Sequence, residues 1–222
     1  AGKFGIDDSG SMRVCFRFAS DQTRPQFEDP KGPNYTTIEA SNNAVLTYHY
    51  DPKGNVRPWD RTLYIKVVRG FLREGDKITI TFGDRSGGSP GMRLQTFCED
   101  SYEFHTLIDP IATYCYQPMP VQPVIKIIPG KPDRYLAVAP TIRAIDESFT
   151  IKFKGEDKWG NPSDQCDIQL YPHASHPVKN LPHMISLKPG EFFGVIEGLL
   201  VADAADLHID FLDDAGVVMC RT

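Results

Sequence analysis

The chain has 222 residues and a formal net charge of −5, with 41% hydrophobic and 24% charged residues. That balance belongs to a globular protein with a real core, built as one large domain or two ordinary ones. The acidic excess argues against nucleic acid or an anionic membrane as partner, and no apolar run approaches the ~20 residues of a membrane-spanning helix.

In chain order, the start AGKFGIDDSG has neither an initiator Met nor a signal-type apolar stretch, and the end GVVMCRT stops inside a strand pattern. Both ends read as cuts in a longer or processed chain. The acidic run Asp7-Asp8-Ser9-Gly10-Ser11 lacks EF-hand spacing and reads as a loop leading into a strand. From 12 to 18, Met12, Val14, Phe16 and Phe18 alternate with Arg13, Cys15 and Arg17, the period of a half-buried strand. Residues 19–35 and 49–62 read as long loops carrying Arg24, Phe27, Tyr35, His49 and Tyr50, then Arg57, Trp59 and Arg61. Strand patterns return at 63–67 and 78–82.

The stretch ITFGDRSGGSPGMRLQTF then raises the question of a phosphate-binding loop. Such a loop needs a helix behind it, whose N-terminal N–H groups face the anion. Here the flanks, 78–82 and 92–97, both alternate with period two, and the Lys-Ser/Thr pair of a P-loop is missing. The spacing predicts strand, glycine-rich turn, strand, with glycine supplying positive φ. A further strand follows at 102–106.

The segment QPMPVQPVIKIIPGKP, 117–132, reads as an extended connector because proline stiffens the chain and removes donors. Nine of the twelve arginines precede residue 94 and seven of the twelve lysines follow residue 125, so composition changes across it. The expectation is a module over 1–118, a linker over 119–122 and a second module over 123–222. Strand patterns at 149–153, 166–170 and 207–211 fill the second, with a helical turn at 201–206. The fold class expected is all-β, two tandem antiparallel β-sandwiches.

Five cysteines, Cys15, Cys98, Cys115, Cys166 and Cys220, are odd in number and widely spaced, with no CxxC. They read as free, mostly buried thiols, which favours a reducing compartment such as the cytoplasm. Catalytic motifs do not emerge: no serine sits in G-x-S-x-G, no cofactor fingerprint is present, and no catalytic residue is assigned. Arg57, Trp59, Arg61, Asp84, Arg85 and Arg93 form the candidate ligand or interface set, because aromatic faces and planar guanidinium groups suit sugars, carboxylates or a docked domain. The competing reading is that the aromatics merely pin long loops. His173, His176 and His183 are weak metal candidates, in a proline-rich segment whose spacing matches no structural zinc pattern.

Two resemblances extend this reading. The second module, with its turn Asp157-Lys158-Trp159-Gly160-Asn161-Pro162 after a long strand, resembles invasin-type bacterial Ig-like domains. In the first, CFRFASDQTRPQFEDPKGPNYTTIEA, YDPKGNVRPWDRTLYIKV and GDKITITFGDRSGGSPGMRLQTFCED together resemble the N-terminal region of an uncharacterised bacterial family of predicted metal-dependent hydrolases related to the PHP phosphoesterases. That resemblance implies a non-catalytic accessory region whose partner is a downstream catalytic domain of the same polypeptide. The alternative is a carbohydrate-type ligand-binding module, and a homo-oligomer stays open.

Overall fold

Alternating β-branched or aromatic and polar residues produce sixteen strands and no helix in this computed structural model, which describes residues 1–222. The fold is all-β, and every strand pairing is antiparallel. The chain divides into two units between Ile127 and Ile128.

In the first unit the main sheet runs β3 (Val45–Asp51), β4 (Arg61–Arg69), β1 (Ser11–Phe16), β7 (His105–Asp109), β8 (Gln117–Pro118). Strand β1 is central, hydrogen-bonded to β4 on one edge and β7 on the other. Its Val14 and Phe16 pack with Leu63 and Ile65 of β4, and the period of two puts all four on one face. That face is partly covered by β2 (Thr36–Ala40) paired with β5 (Ile78–Phe82), through Ile38, Ile78, Ile80 and Phe82. The rings of Phe16, Phe82 and Phe104 meet with centroids 5.7–5.9 Å apart. A further pair, β6 (Glu99–Glu103) with β9 (Val124–Ile127), takes up the end of the proline-rich segment.

The second unit has a three-stranded sheet, β10 (Arg134–Val138), β11 (Phe149–Glu156), β14 (Gly194–Leu199). Its four-stranded sheet is β13 (Ile185–Leu187), β12 (Ile168–Ala174), β15 (Ile209–Leu212), β16 (Val218–Arg221). Ile151 and Phe153 from one sheet and Leu170, Ile209 and Phe211 from the other share a single core. Cys166 and Leu199 are wholly buried beside them.

Several expected elements differ. Residues 92–97 form no strand. Side chains and loops hold them, with a bend at Thr96 and Phe97: Asp21 accepts from the N–H and hydroxyl of Thr96 at 2.8 Å each, and Thr23 N–H donates to the Arg93 carbonyl. A tethered segment has the same alternation as a strand, so period alone could not separate them. Residues 201–206 contain no helical turn. His49 and Tyr50 belong to β3, which leaves 52–60 as the loop. The pattern at 102–106 is two strands broken at Phe104, whose N–H turns to the Pro123 carbonyl.

The turn after β5 does use glycine geometry. Gly83 has φ +65°, and a Cβ there would stand 2.3 Å from the Met92 nitrogen. Gly83→Ala is therefore expected to cost about 1–3 kcal/mol, the range for a strained backbone position. Urea unfolding checks this, and an unchanged midpoint would contradict the turn's fixed geometry.

Burial protonates the interior thiols. It pushes the Cys15 and Cys166 thiols up from their ordinary value, and Cys220 to about 11, with the nearby Asp210 carboxylate adding to the last. In a native thiol titration at pH 8, exposed Cys115 should react first and these three only as the protein opens. Equal rates at Cys115 and Cys15 would refute the assignment.

Candidate functional site

The loop 52–60 folds back over the end of β1 and carries Trp59 onto β7. The Trp59 and His105 rings stack with centroids 5.0 Å apart and planes 17° from parallel. His105 Nδ1 lies 2.8 Å from Glu103 Oε1. The Arg17 guanidinium lies 5.7 Å from the Trp59 ring centre and pairs with Glu99. Arg61 donates to the Ser20 carbonyl, and Arg57 lies over the Phe18 ring at 5.0 Å and 3.6 Å from Asp60. The other carboxylate oxygen of Asp60, Oδ1, is buried without a hydrogen-bond partner. Trp59 is thus joined with Arg17, Glu99, Glu103 and His105, while Arg57 and Arg61 take separate partners, Phe18 with Asp60 and Ser20. Charge alternates with π surface along the cluster, and each guanidinium has a partner inside the unit.

Asp84, Arg85 and Arg93 have separate roles. Asp84 accepts from the Ser86 N–H at 2.9 Å and the Thr37 hydroxyl at 2.7 Å, and these bonds hold its carboxyl below the ordinary value. Arg85 runs along the turn against Gly91, its Nε 3.0 Å from where a Cβ on that glycine would sit. Arg93 is held by Asp21, through the carboxylate at 3.2 Å and the carbonyl at 2.8 Å. No helix follows the turn, so its N–H groups gain no helix dipole for a phosphate.

Of the histidines, His173 lies in β12 and His176 and His183 lie outside the strands. His173 faces Asp210 across β12 and β15, His176 Nδ1 lies 3.2 Å from the Ser175 hydroxyl, and His183 meets Tyr171 edge-on at 5.9 Å. No three His, Cys, Asp or Glu side chains converge to hold a metal ion.

On the outer face of the main sheet His49 stacks on Tyr64 at 4.9 Å, and Arg13 lies 4.8 Å from the Tyr64 centroid and 3.8 Å from that of Tyr116. Histidine and arginine therefore occupy ring faces on which a sugar would stack.

A further open feature was not among the expected site residues. A trough of about 700 Å³ lies in the first unit. Met12 and Val14 of β1 with Phe104 and Ile108 form its floor, Ile80 and Phe82 of β5 one wall, and Met119 and Pro123 the other. In the sequence Met12, Val14, Ile80 and Phe82 look like ordinary inward strand positions, and Met119 and Pro123 like part of the connector. Only the sheet order shows that the layer above the floor stops at β5.

No protein-family model, curated protein or solved structure matches the chain. The trough is open and mainly apolar. Its lining contains no cysteine or histidine, and its only carboxylate, Asp76, accepts from Asn42 Nδ2 and the Arg73 N–H at 2.7 Å each.

Proposed function

We propose that this chain is a non-catalytic β accessory region that packs against, and positions, a metal-dependent hydrolase domain of the same polypeptide. The observation that carries the reading is the open trough, a concave apolar surface beside a sheet edge with no reactive group at its centre. Surfaces of that kind serve recognition rather than chemistry. The identity of the partner rests on the sequence resemblance of the first module. For the second unit we favour an immunoglobulin-like sandwich. Its first, second and fifth strands lie in one sheet and its third, fourth, sixth and seventh in the other, an order that supports this reading.

Hydrogen exchange tests the proposal. In the longer polypeptide that the resemblance implies, the amides of Ile78, Ile80 and Phe82 should exchange about tenfold or more slowly than in residues 1–222 alone. Equal rates in the two would overturn it.

A further inference from the structure

The edge of β5 shows how a partner enters the trough. The register with β2 pairs Thr37 with Thr81, Ile38 with Ile80 and Glu39 with Thr79. One hydrogen bond sets the phase: the Ser41 N–H donates to the Lys77 carbonyl at 2.9 Å. In an antiparallel ladder, hydrogen-bonded and non-hydrogen-bonded pairs alternate. Lys77, Thr79 and Thr81 therefore turn their backbone groups toward β2. Ile78, Ile80 and Phe82 turn theirs the other way, along the rim of the trough. Strand β5 pairs with β2 alone, so this second edge has no strand beside it. The same three residues send their side chains inward, against the core shared with Val14 and Phe16.

We propose that the trough accepts an extended strand of the partner domain of the same polypeptide, which adds to the free edge of β5 and completes the incomplete layer. This rests on the accessory reading above and names the mode of contact. Two occupants compete for an apolar trough of this size, a strand and a lipid-like chain. A hydrocarbon chain would cover three residues' worth of N–H and C=O groups without bonding any, which an apolar setting strongly disfavours. A strand satisfies them all. It also supplies alternate side chains to the floor formed by Met12, Val14 and Ile108.

Charge defines the strand further. The charged side chains that line the trough are Asp76 and Lys77, together at one end. Asp76 is already bonded to Asn42 and the Arg73 N–H, whereas the exposed Lys77 ammonium makes no ion pair. The incoming strand is therefore uncharged and apolar at inward positions and carries a carboxylate where it passes Lys77. Antiparallel addition, the commoner mode, puts that acidic residue at the strand's C-terminal end.

The test uses the peptide acetyl-SVTVTVE-amide with residues 1–222 and amide-resolved hydrogen exchange. Bound peptide should slow exchange at Ile78, Ile80 and Phe82 by about tenfold or more and leave Thr79 and Thr81, already paired with β2, unchanged. N-methylation of the three valine amides removes the donors that face β5 and should weaken binding about tenfold or more. Lys77→Glu should weaken it about threefold, with recovery when lysine replaces the peptide's glutamate. The proposal fails if the peptide does not bind at about 1 mM, or if the N-methylated peptide binds equally well. It also fails if oleate fills the trough while the peptide does not, or if the three amides are already protected in a concentration-dependent dimer. Slowed exchange in the longer polypeptide together with failure of the peptide would remove strand addition and leave the accessory reading standing. The reverse pattern would remove the partner assignment and keep the strand.

Discussion

Asp157→Ala is expected to cost the second unit about 3 kcal/mol or more, because several donors lose one acceptor together. The Asp157 carboxylate receives the N–H groups of Trp159 and Asn161 at 2.9 Å, the Gly130 N–H at 3.1 Å and the Asn161 side-chain amide at 3.0 Å. These bonds close the turn after β11 and tie it to the segment that enters the unit. Gly160, at φ +87°, completes the turn. Asp157 is itself buried. Burial alone would raise its carboxyl, but the Asn161 side chain and the backbone donors outweigh that and hold it below its ordinary 3.8. The same bonds make stability depend on pH. A lowered folded value means that the stabilisation is fully present above about pH 3.9 and is lost as pH falls through the folded value. The wild-type unit should therefore weaken relative to the alanine variant only below about pH 4. Each unit holds one of the chain's two tryptophans, so Trp159 fluorescence in a Trp59→Phe background follows the second unit alone. Urea midpoints that move by less than the equivalent of ~1 kcal/mol would show that water replaces the carboxylate at little cost.

Trp59→Ala carries the next largest effect, about 2–3 kcal/mol in this chain. Truncating a buried aromatic costs about 3–5 kcal/mol, and Trp59 is only half-buried. Its ring nonetheless supports two neighbours, His105 by stacking and Arg17 by cation–π contact. Removing it also exposes the Arg17–Glu99 pair to water, where an ion pair contributes little. Arg57→Ala, at an exposed residue on the rim, should stay within about 0.5 kcal/mol. Equilibrium unfolding of both variants decides between scaffold and contact surface. A Trp59→Ala loss below about 1 kcal/mol would mean that the ring is not needed to hold its own loop, and would restore it as a docking residue.

The two substitutions bracket what kind of feature a sequence reveals. The Asp157 turn is local: one carboxylate, a glycine three positions later and an asparagine beside it satisfy one another within five residues. The glycine-rich turn after β5 is legible for the same reason, since positive φ at Gly83 is a property of the residue type. Trp59 is different. Its partners, Arg17 and His105, are more than forty residues away on either side. Composition could bring arginine and tryptophan to attention but could not say that each would be taken up inside its own unit.

The sequence by itself determined the all-β class and the phase of strands such as β1, β4 and β5, because a period of two assigns each side chain to a face whatever lies opposite, although the pattern that ran on to Phe18 ends at Phe16 and leaves Phe18 exposed. It did not separate the tethered segment 92–97 from a strand, since alternation does not record that the Asp21 side chain, rather than a neighbouring strand, accepts the Thr96 hydrogen bonds. Tertiary structure alone decided the order β3-β4-β1-β7-β8 and the isolation of β5 beside β2. Pairing between distant strands depends on which edges meet, and no residue's own preference records that. The open trough is the sum of those edge choices: its β1, β5 and β7 residues are normal strand residues, and only the absence of a strand next to β5 leaves the outer edge of Ile78, Ile80 and Phe82 without one.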